Sequence, residues 1–371
     1  MPEAAESEVH GIQARLQAPD EMAVAPGGER VRRLAGPGMA LALMALISGC
    51  SPGSTSAPVD PPEGPCPPPS MGIAMGGVGG VGDAVATPVP RLVLMGGGAE
   101  NDEASNLFLD AAQGGDVIVL RASGSVYTYI NYFYFHLLPA VKPSSVNTIL
   151  TTVPQLGGDQ SVLCRLRYAE AIWLAGGDQW DYLGGWPAGL HDALADFISD
   201  GGAMGGTSAG AVSLGEAAFD ARNGTVTSEM ALQDPTSSSV SISYPSFAHP
   251  RLESTLVDSH FSQRSREGRI LAFLARFLVE KEKSQVLGIG LDEGVAMVLD
   301  GGGFRVFGPQ DGAAWVYSVT GPALLSEDLP LDLEGILRVR LAPGAQGDWP
   351  LDFQEFSGVE LRVSGGVLGP A

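Results

Sequence analysis

Ala203-Met204-Gly205-Gly206-Thr207-Ser208-Ala209-Gly210-Ala211-Val212 reads as a short buried strand that turns sharply into a helix, with one serine at the turn. Glycines 206 and 210 complete the G-x-S-x-G pattern of a nucleophile elbow. The pattern needs small residues because a Cβ beside the turn would strike neighbouring backbone and hold a reacting carbonyl away from the serine. The same turn aims the first N–H groups of the new helix at the point where an oxyanion would form. A tight strand-to-helix turn without chemistry satisfies the pattern equally well, so the role of Ser208 depends on its surroundings.

Working outward, the pattern repeats. Leu92-Val93-Leu94-Met95 runs into Gly96-Gly97-Gly98, and Ala171-Ile172-Trp173-Leu174-Ala175 runs into Gly176-Gly177-Asp178-Gln179. Asp116–Leu120 and Val146–Leu150 are similar apolar runs, and helix-compatible segments lie near 106–112, 129–138, 161–170 and 190–198. Alternation of this kind predicts an α/β fold with a mostly parallel sheet and helices on both faces, whose ligands gather at the C-terminal strand ends. Gly96–Gly98 lacks the spacing of a dinucleotide fingerprint.

A serine nucleophile needs a base. His136 falls in an aromatic helical stretch, His191 near a helix start and His249 before a proline, whereas His260 follows a predicted strand, Thr255–Val257, and precedes an apolar helix over 270–279. Arg264, Arg266 and Arg269 crowd the start of that helix, where the macrodipole disfavours cations and an anion would offset the clustering. Asp258 beside them suits a cationic group, and a local salt-bridge network with Glu267 and other acids is the competing reading.

Length and composition permit one large core or two modest ones, and a net charge of −21 argues against a nucleic-acid partner. Arg30, Arg32 and Arg33 precede an apolar run, 39–47, that is too short to span a bilayer comfortably and ends in Leu46-Ile47-Ser48-Gly49-Cys50. That ending resembles a bacterial lipobox, so Cys50 is the expected lipidation site of an exported lipoprotein on the outer membrane or cell surface, with plain secretion as the alternative. The long stretch before Arg30 suggests translation beginning near Met22. The Ser, Pro and Gly-rich tract from Cys50 to about Pro90 reads as a flexible tether. With Cys50 lipidated, Cys66 and Cys164 predict neither a disulfide framework nor a metal cluster, and Cys164 reads as a buried helix residue.

Gly206–Ala211, Gly176-Gly177-Asp178-Gln179, the run Asp258-x-His260-Phe261-x-x-Arg264-x-Arg266-x-x-Arg269, and Gly288–Glu293 resemble, in that order, the motifs of the cyanophycinases, in the serine peptidase family that includes peptidase E. The resemblance covers roughly residues 91–321 and departs at Ser259, where cyanophycinases carry glutamine. It implies a flavodoxin-like fold akin to class I glutamine amidotransferases, with Ser208 as nucleophile, His260 as general base and Glu293 orienting the imidazole. The residues alone leave Asp258 and Asp292 equally eligible for that last role. It further implies an oxyanion hole from Gly177 and Ala209, and substrate binding by Gln179, Asp258, Arg264, Arg266 and Arg269. The implied substrate is cyanophycin, polyaspartate with arginine on its side chains, cut to β-aspartyl-arginine. Short aspartyl or isoaspartyl peptides, or an idle ligand-binding lipoprotein, are the alternatives.

The expected organisation is a leader over 1–49, the tether over 50–90, a peptidase domain over 91–321 and a small β-rich C-terminal extension over 322–371. No cofactor or metal is expected, and the oligomeric state is left open between monomer and homodimer.

Overall fold

A computed structural model describes residues 66–80 and 82–371. The expected leader, the Cys50 site and the tether up to residue 65 lie outside the described residues. Ile73–Gly79 forms β1, Leu92–Met95 β2, Asp116–Arg121 β3, Ser145–Thr151 β4, Ala171–Leu174 β5 and Ala203–Thr207 β6. Between them run α1 (Asp102–Ala111), α2 (Tyr127–Tyr129) continuing as a π-helix over Ile130–His136, α3 (Gln160–Arg167) and α4 (Ala188–Ser199). The side chains of Asn101 and Asp159 accept the N–H groups of Ala104 and Ser161, capping α1 and α3.

Strands β4, β3, β5, β6 and β2 lie side by side in that order and are mutually parallel. The two-residue period of a strand sends Leu92 and Leu94 to one face and Val93 and Met95 to the other. On the first face Leu94, Ile172 and Leu174 meet Val162 and Leu166 of α3 and Leu190 and Leu194 of α4. On the second, Val93, Val119 and Trp173 meet Phe108 of α1 and Phe133 of the π-helix. The expected doubly wound α/β layer is present.

The remainder adds a second sheet, which the expected C-terminal β-rich extension joins. The elbow helix α5 (Ala209–Val212), a small ribbon of β7 (Ala218–Phe219) and β8 (Ile242–Ser243), and α6 (Ser228–Gln233) lead to β9 (Thr255–Asp258), α7 (Glu267–Glu280) and β10 (Val286–Leu291). Then come β11 (Ala296–Asp300), β12 (Gly303–Phe307), β13 (Ala314–Val319), β14 (Ala323–Leu324), β15 (Asp332–Leu341), β16 (Gln346–Asp348), β17 (Gly358–Ser364) and β18 (Val367–Pro370). β11, β12 and β16 extend the first sheet antiparallel beyond β2. A second sheet, ordered β18-β17-β15-β13-β10-β9, has one parallel pair, β9 with β10. Its inner face, including Ile289, Val316 and Val339, shares a core with the first sheet, and α7 covers its outer face through Phe273 and Leu274. The expected C-terminal β-rich extension is present and continues this sheet, because β15 pairs with β13 over Ile336–Leu341.

Two expectations about the N-terminal side are corrected. From Cys66 the chain is part of the fold: β1 pairs antiparallel with the edge strand β4 over seven residues. Cys66 and Cys164 form a disulfide, S–S 2.04 Å, across 98 residues of sequence. Cys164 is buried on α3, as expected, but its partner lies in what composition alone marks as tether. Local Pro and Gly content cannot reveal that an edge strand elsewhere offers unpaired backbone groups.

Candidate active site

The site lies where the C-terminal ends of strands from both sheets converge. β6 ends at Thr207, and Ser208 turns into α5 with φ 50° and ψ −117°, a strained conformation for a residue with a side chain. A Cβ on Gly206 would lie 2.6 Å from the carbonyl carbon of Gly210, and one on Gly210 would lie 2.1 Å from the carbonyl oxygen of Leu174. The two glycines of the pattern are thus required sterically.

His260 follows β9 and Glu293 follows β10. Because these strands are parallel, with Asp258 opposite Gly290, both side chains emerge at one edge. Ser208 Oγ lies 2.8 Å from His260 Nε2, and His260 Nδ1 lies 2.6 Å from Glu293 Oε1. Burial lowers the His260 pKa below its usual value, with the hydrogen bond donated to Glu293 opposing and Arg264 and Arg266 adding to the fall. The imidazole is therefore neutral at pH 7. In the tautomer that donates Nδ1–H to Glu293, Nε2 is left to accept from the serine.

The other two carboxyls eligible by sequence are committed elsewhere. Asp258 is 2% exposed and accepts from Arg269 through both oxygens, Nε at 2.8 Å and Nη2 at 2.6 Å, while Arg266 approaches at 3.2 Å. Asp292 accepts the backbone N–H groups of Ser262 and Ala313 and the Trp315 indole. Glu293 is the acid left facing the histidine.

Asp258 as the holder of a cationic substrate group is corrected: it is the buried counter-ion of Arg269 and Arg266. The internal network foreseen as the competing reading exists through another acid, Asp258, while Glu267 accepts from Tyr317 and Arg338. Arg269 is 3% exposed and lies over the Phe219 and Phe273 rings, so it has no face for substrate. Arg266 also donates to the Ser259 carbonyl, and burial pulls it down to about 10, leaving it a cation at neutral pH. Arg264 is exposed. Ser259 is buried, its N–H turned onto Asp258, so its short side chain does not reach outward as a glutamine could. Phe261, Ser262, Ser265, Arg266, Glu267, Trp315 and Tyr317 line a cavity of about 360 Å³ beside this cluster.

Gly177 has φ 154°, and an added Cβ at its neighbour Gly176 would stand 3.4 Å from the Ser208 Cβ. Ala209 opens α5, where its N–H has no intrahelical acceptor. Gln179 donates to the Phe219 carbonyl at 3.2 Å, which ties the β5 turn to the ribbon.

The Gly96–Gly98 turn, read in sequence only as a non-nucleotide loop, joins the two halves of the site. The Gly96 carbonyl accepts from His260 N–H and the Gly97 carbonyl from Gly294 N–H, while Met95 accepts from Ser208 N–H. A Cβ on Gly97 would sit 2.5 Å from the His260 ring and 3.1 Å from the Ser208 Cβ, and one on Gly98 would sit 3.0 Å from the Glu293 Cβ. Three consecutive glycines after a strand were the available signal, although what they approach is set by the fold.

No protein-family model and no curated protein matches the chain. Among solved structures, it is similar to a peptidase from an acI-B1 Actinobacterium at 16% identity, over 71% of this chain and 98% of that one, with a TM-score of 0.44. It is also similar to a Listeria monocytogenes EGD-e protein with a provisional peptidase E designation, at 16% identity over 59% and 98% of the two chains, with a TM-score of 0.38. Among the described residues, no group of three or more His, Cys, Asp or Glu side chains could hold a metal ion, and no helix is long and apolar enough to cross a membrane.

Proposed function

We propose that the chain is a serine-type peptidase acting on carboxylate-bearing aspartyl peptides, with cyanophycin as the specific substrate. The observation that carries the reading is the hydrogen-bonded series Ser208–His260–Glu293, at 2.8 and 2.6 Å, on a strained elbow. In this mechanism His260 Nε2 takes the Ser208 proton as Oγ attacks the peptide carbonyl. Glu293 stabilises the imidazolium, and the N–H groups of Ala209 and Gly177 receive the oxyanion. The imidazolium returns its proton to the leaving amine, and water activated by the same histidine releases the acyl group.

Charge supports the substrate class. Of the three arginines beside the site, Arg266 and Arg269 are paired with Asp258, and Arg264 is exposed with its charge turned to solvent. Arg264 is the outward cation for a substrate carboxylate, with Gln179 as a polar contact, and Arg266 and Arg269 act from behind through Asp258. The single exposed guanidinium among these three, that of Arg264, is what supports the second reading, short aspartyl or isoaspartyl peptides, which present fewer carboxylates.

The disulfide supports export to an oxidising compartment, in keeping with Cys50 as a lipid anchor. The test is release of β-aspartyl-arginine from cyanophycin by the wild type and by Ser208→Ala. The variant is expected to fold and to lose at least about 10³-fold in turnover. Full activity in the variant would transfer the chemistry to another residue, and a wild type active only on short aspartyl peptides would establish the second reading.

A further inference from the structure

Two turns meet Ser208: Gly176–Gln179 on the oxyanion side, and the turn after β9 that carries His260 and its arginines. One loop joins them. At its start the Phe219 carbonyl accepts from Gln179 at 3.2 Å. At its far end the Val226 carbonyl accepts from Arg269 at 3.5 Å, and Ser228 donates to the Ser265 carbonyl. Residues 220–226 therefore border the site from the oxyanion turn to the arginine cluster, and the mechanism above uses none of them.

The loop is held in one shape. Asp220 is fully buried, and its carboxylate accepts the hydroxyls of Ser241 and Ser243 and the backbone N–H of Arg222. Ala221 takes φ 55°, a left-handed conformation that a side chain disfavours, and its carbonyl accepts the Gly224 N–H at 2.8 Å. Asn223 donates to the Ser238 carbonyl at 2.6 Å. What this frame presents is Arg222. Its guanidinium carbon lies 6.0 Å from the ring centre of Trp180, the residue after Gln179. Its Nε faces Asp220 at 3.9 Å, beyond hydrogen-bond distance. Its two terminal nitrogens have no partner among the described residues, and the side chain is 51% exposed. A guanidinium steadied by an indole, with its fork open, matches a carboxylate through two parallel hydrogen bonds. Asp178 and Asp181 on the Trp180 turn form no ion pair with it, so they leave the fork free and favour a cation beside the bound carboxylate.

We propose that Arg222 is a substrate-binding residue on the oxyanion side of Ser208, where its open guanidinium fork takes a side-chain carboxylate of the peptide while Arg264 meets another from the His260 side. The inference rests on the serine-peptidase reading and deepens it: the preferred substrate carries at least two acidic residues with a cation between or beside them.

The test is the rate at which a fluorophosphonate probe modifies Ser208 in wild type, Arg222→Gln and Arg222→Lys, with folding checked by circular dichroism. The competitors are the tripeptides Asp-Arg-Asp and Asn-Arg-Asn, both amidated at the C-terminus. Without competitor the three proteins should react within about twofold of one another, because Arg222 touches none of the reacting groups. The acidic peptide should protect wild type at concentrations at least about tenfold below those of its amide counterpart. Arg222→Gln should need about tenfold more of the acidic peptide and no more of the amide one. Arg222→Lys keeps the charge without the fork and should fall between. Labelled wild type that both peptides protect alike, or an Arg222→Gln effect that is absent or equal for the two, overturns the proposal alone. So does loss of uncompeted labelling in both variants, which would make Arg222 structural. Folded wild type that leaves Ser208 unlabelled overturns the serine-peptidase reading, and the proposal with it.

Discussion

At the scale of single residues, the site depends on contacts that only a missing side chain permits. Gly97 has φ 85°, where a Cβ is strained whatever the space around it, and that Cβ would enter the His260 ring. Gly97→Ala is therefore expected to push the imidazole off its line to Ser208. Misplacement of about 1 Å at a reacting group costs on the order of 10²-fold in rate. Fluorophosphonate labelling of Ser208 reads this directly, and a wild-type labelling rate in Gly97→Ala would mean that the imidazole can shift without losing its hydrogen bond. The serine was legible in sequence because its glycine neighbours are local. The partner of Asp258 was not, since two arginines and a substrate cation compete for one carboxylate and only burial decides among them.

At the scale of elements, the edge of the first sheet is closed by β1, a glycine-rich strand of seven residues with modest burial. Its glycines contribute little side-chain packing, so the pairing with β4 depends on backbone hydrogen bonds and on the Cys66–Cys164 link. Cross-linking a loop of this length removes enough unfolded-chain entropy to contribute about 2–5 kcal/mol. Replacing both cysteines with serine should lower stability in that range. It should also raise hydrogen exchange in β1 well above that in β3 and β5, and wild type in reductant should behave likewise. Equal stability with and without the disulfide would show that backbone pairing alone holds the edge. The helices were readable from their apolar spacing, but β1 was not, because Gly and Pro content signals a linker wherever no partner strand is known.

At the scale of the whole molecule, the C-terminal residues complete the protein. Leu331, Leu333, Ile336, Leu361 and Val363 are buried in the core that covers α7, and Arg338 bonds Glu267 at the start of that helix. A chain ending at Gly321 would leave β13 as a bare edge and strip one side of the helix that positions Arg269. Such a truncation is expected to yield aggregated or poorly packed protein without Ser208 reactivity. Gel filtration and probe labelling check this, and a soluble, reactive fragment would make residues 322–371 a dispensable appendage.

Sequence by itself determined what depends on near neighbours: the alternation of strands and helices, the sharp turn at Ser208, and the strand ends that carry His260 and Glu293. These follow from side-chain periodicity and local sterics, which act over a few residues. Tertiary structure decided what depends on distant pairing. It divided the strands into two sheets, brought His260 to a serine 52 residues away and joined cysteines 98 residues apart. It also buried Asp258 with its arginines. The energy of each such contact comes from desolvation and mutual geometry, and neither exists until the chain has folded around it.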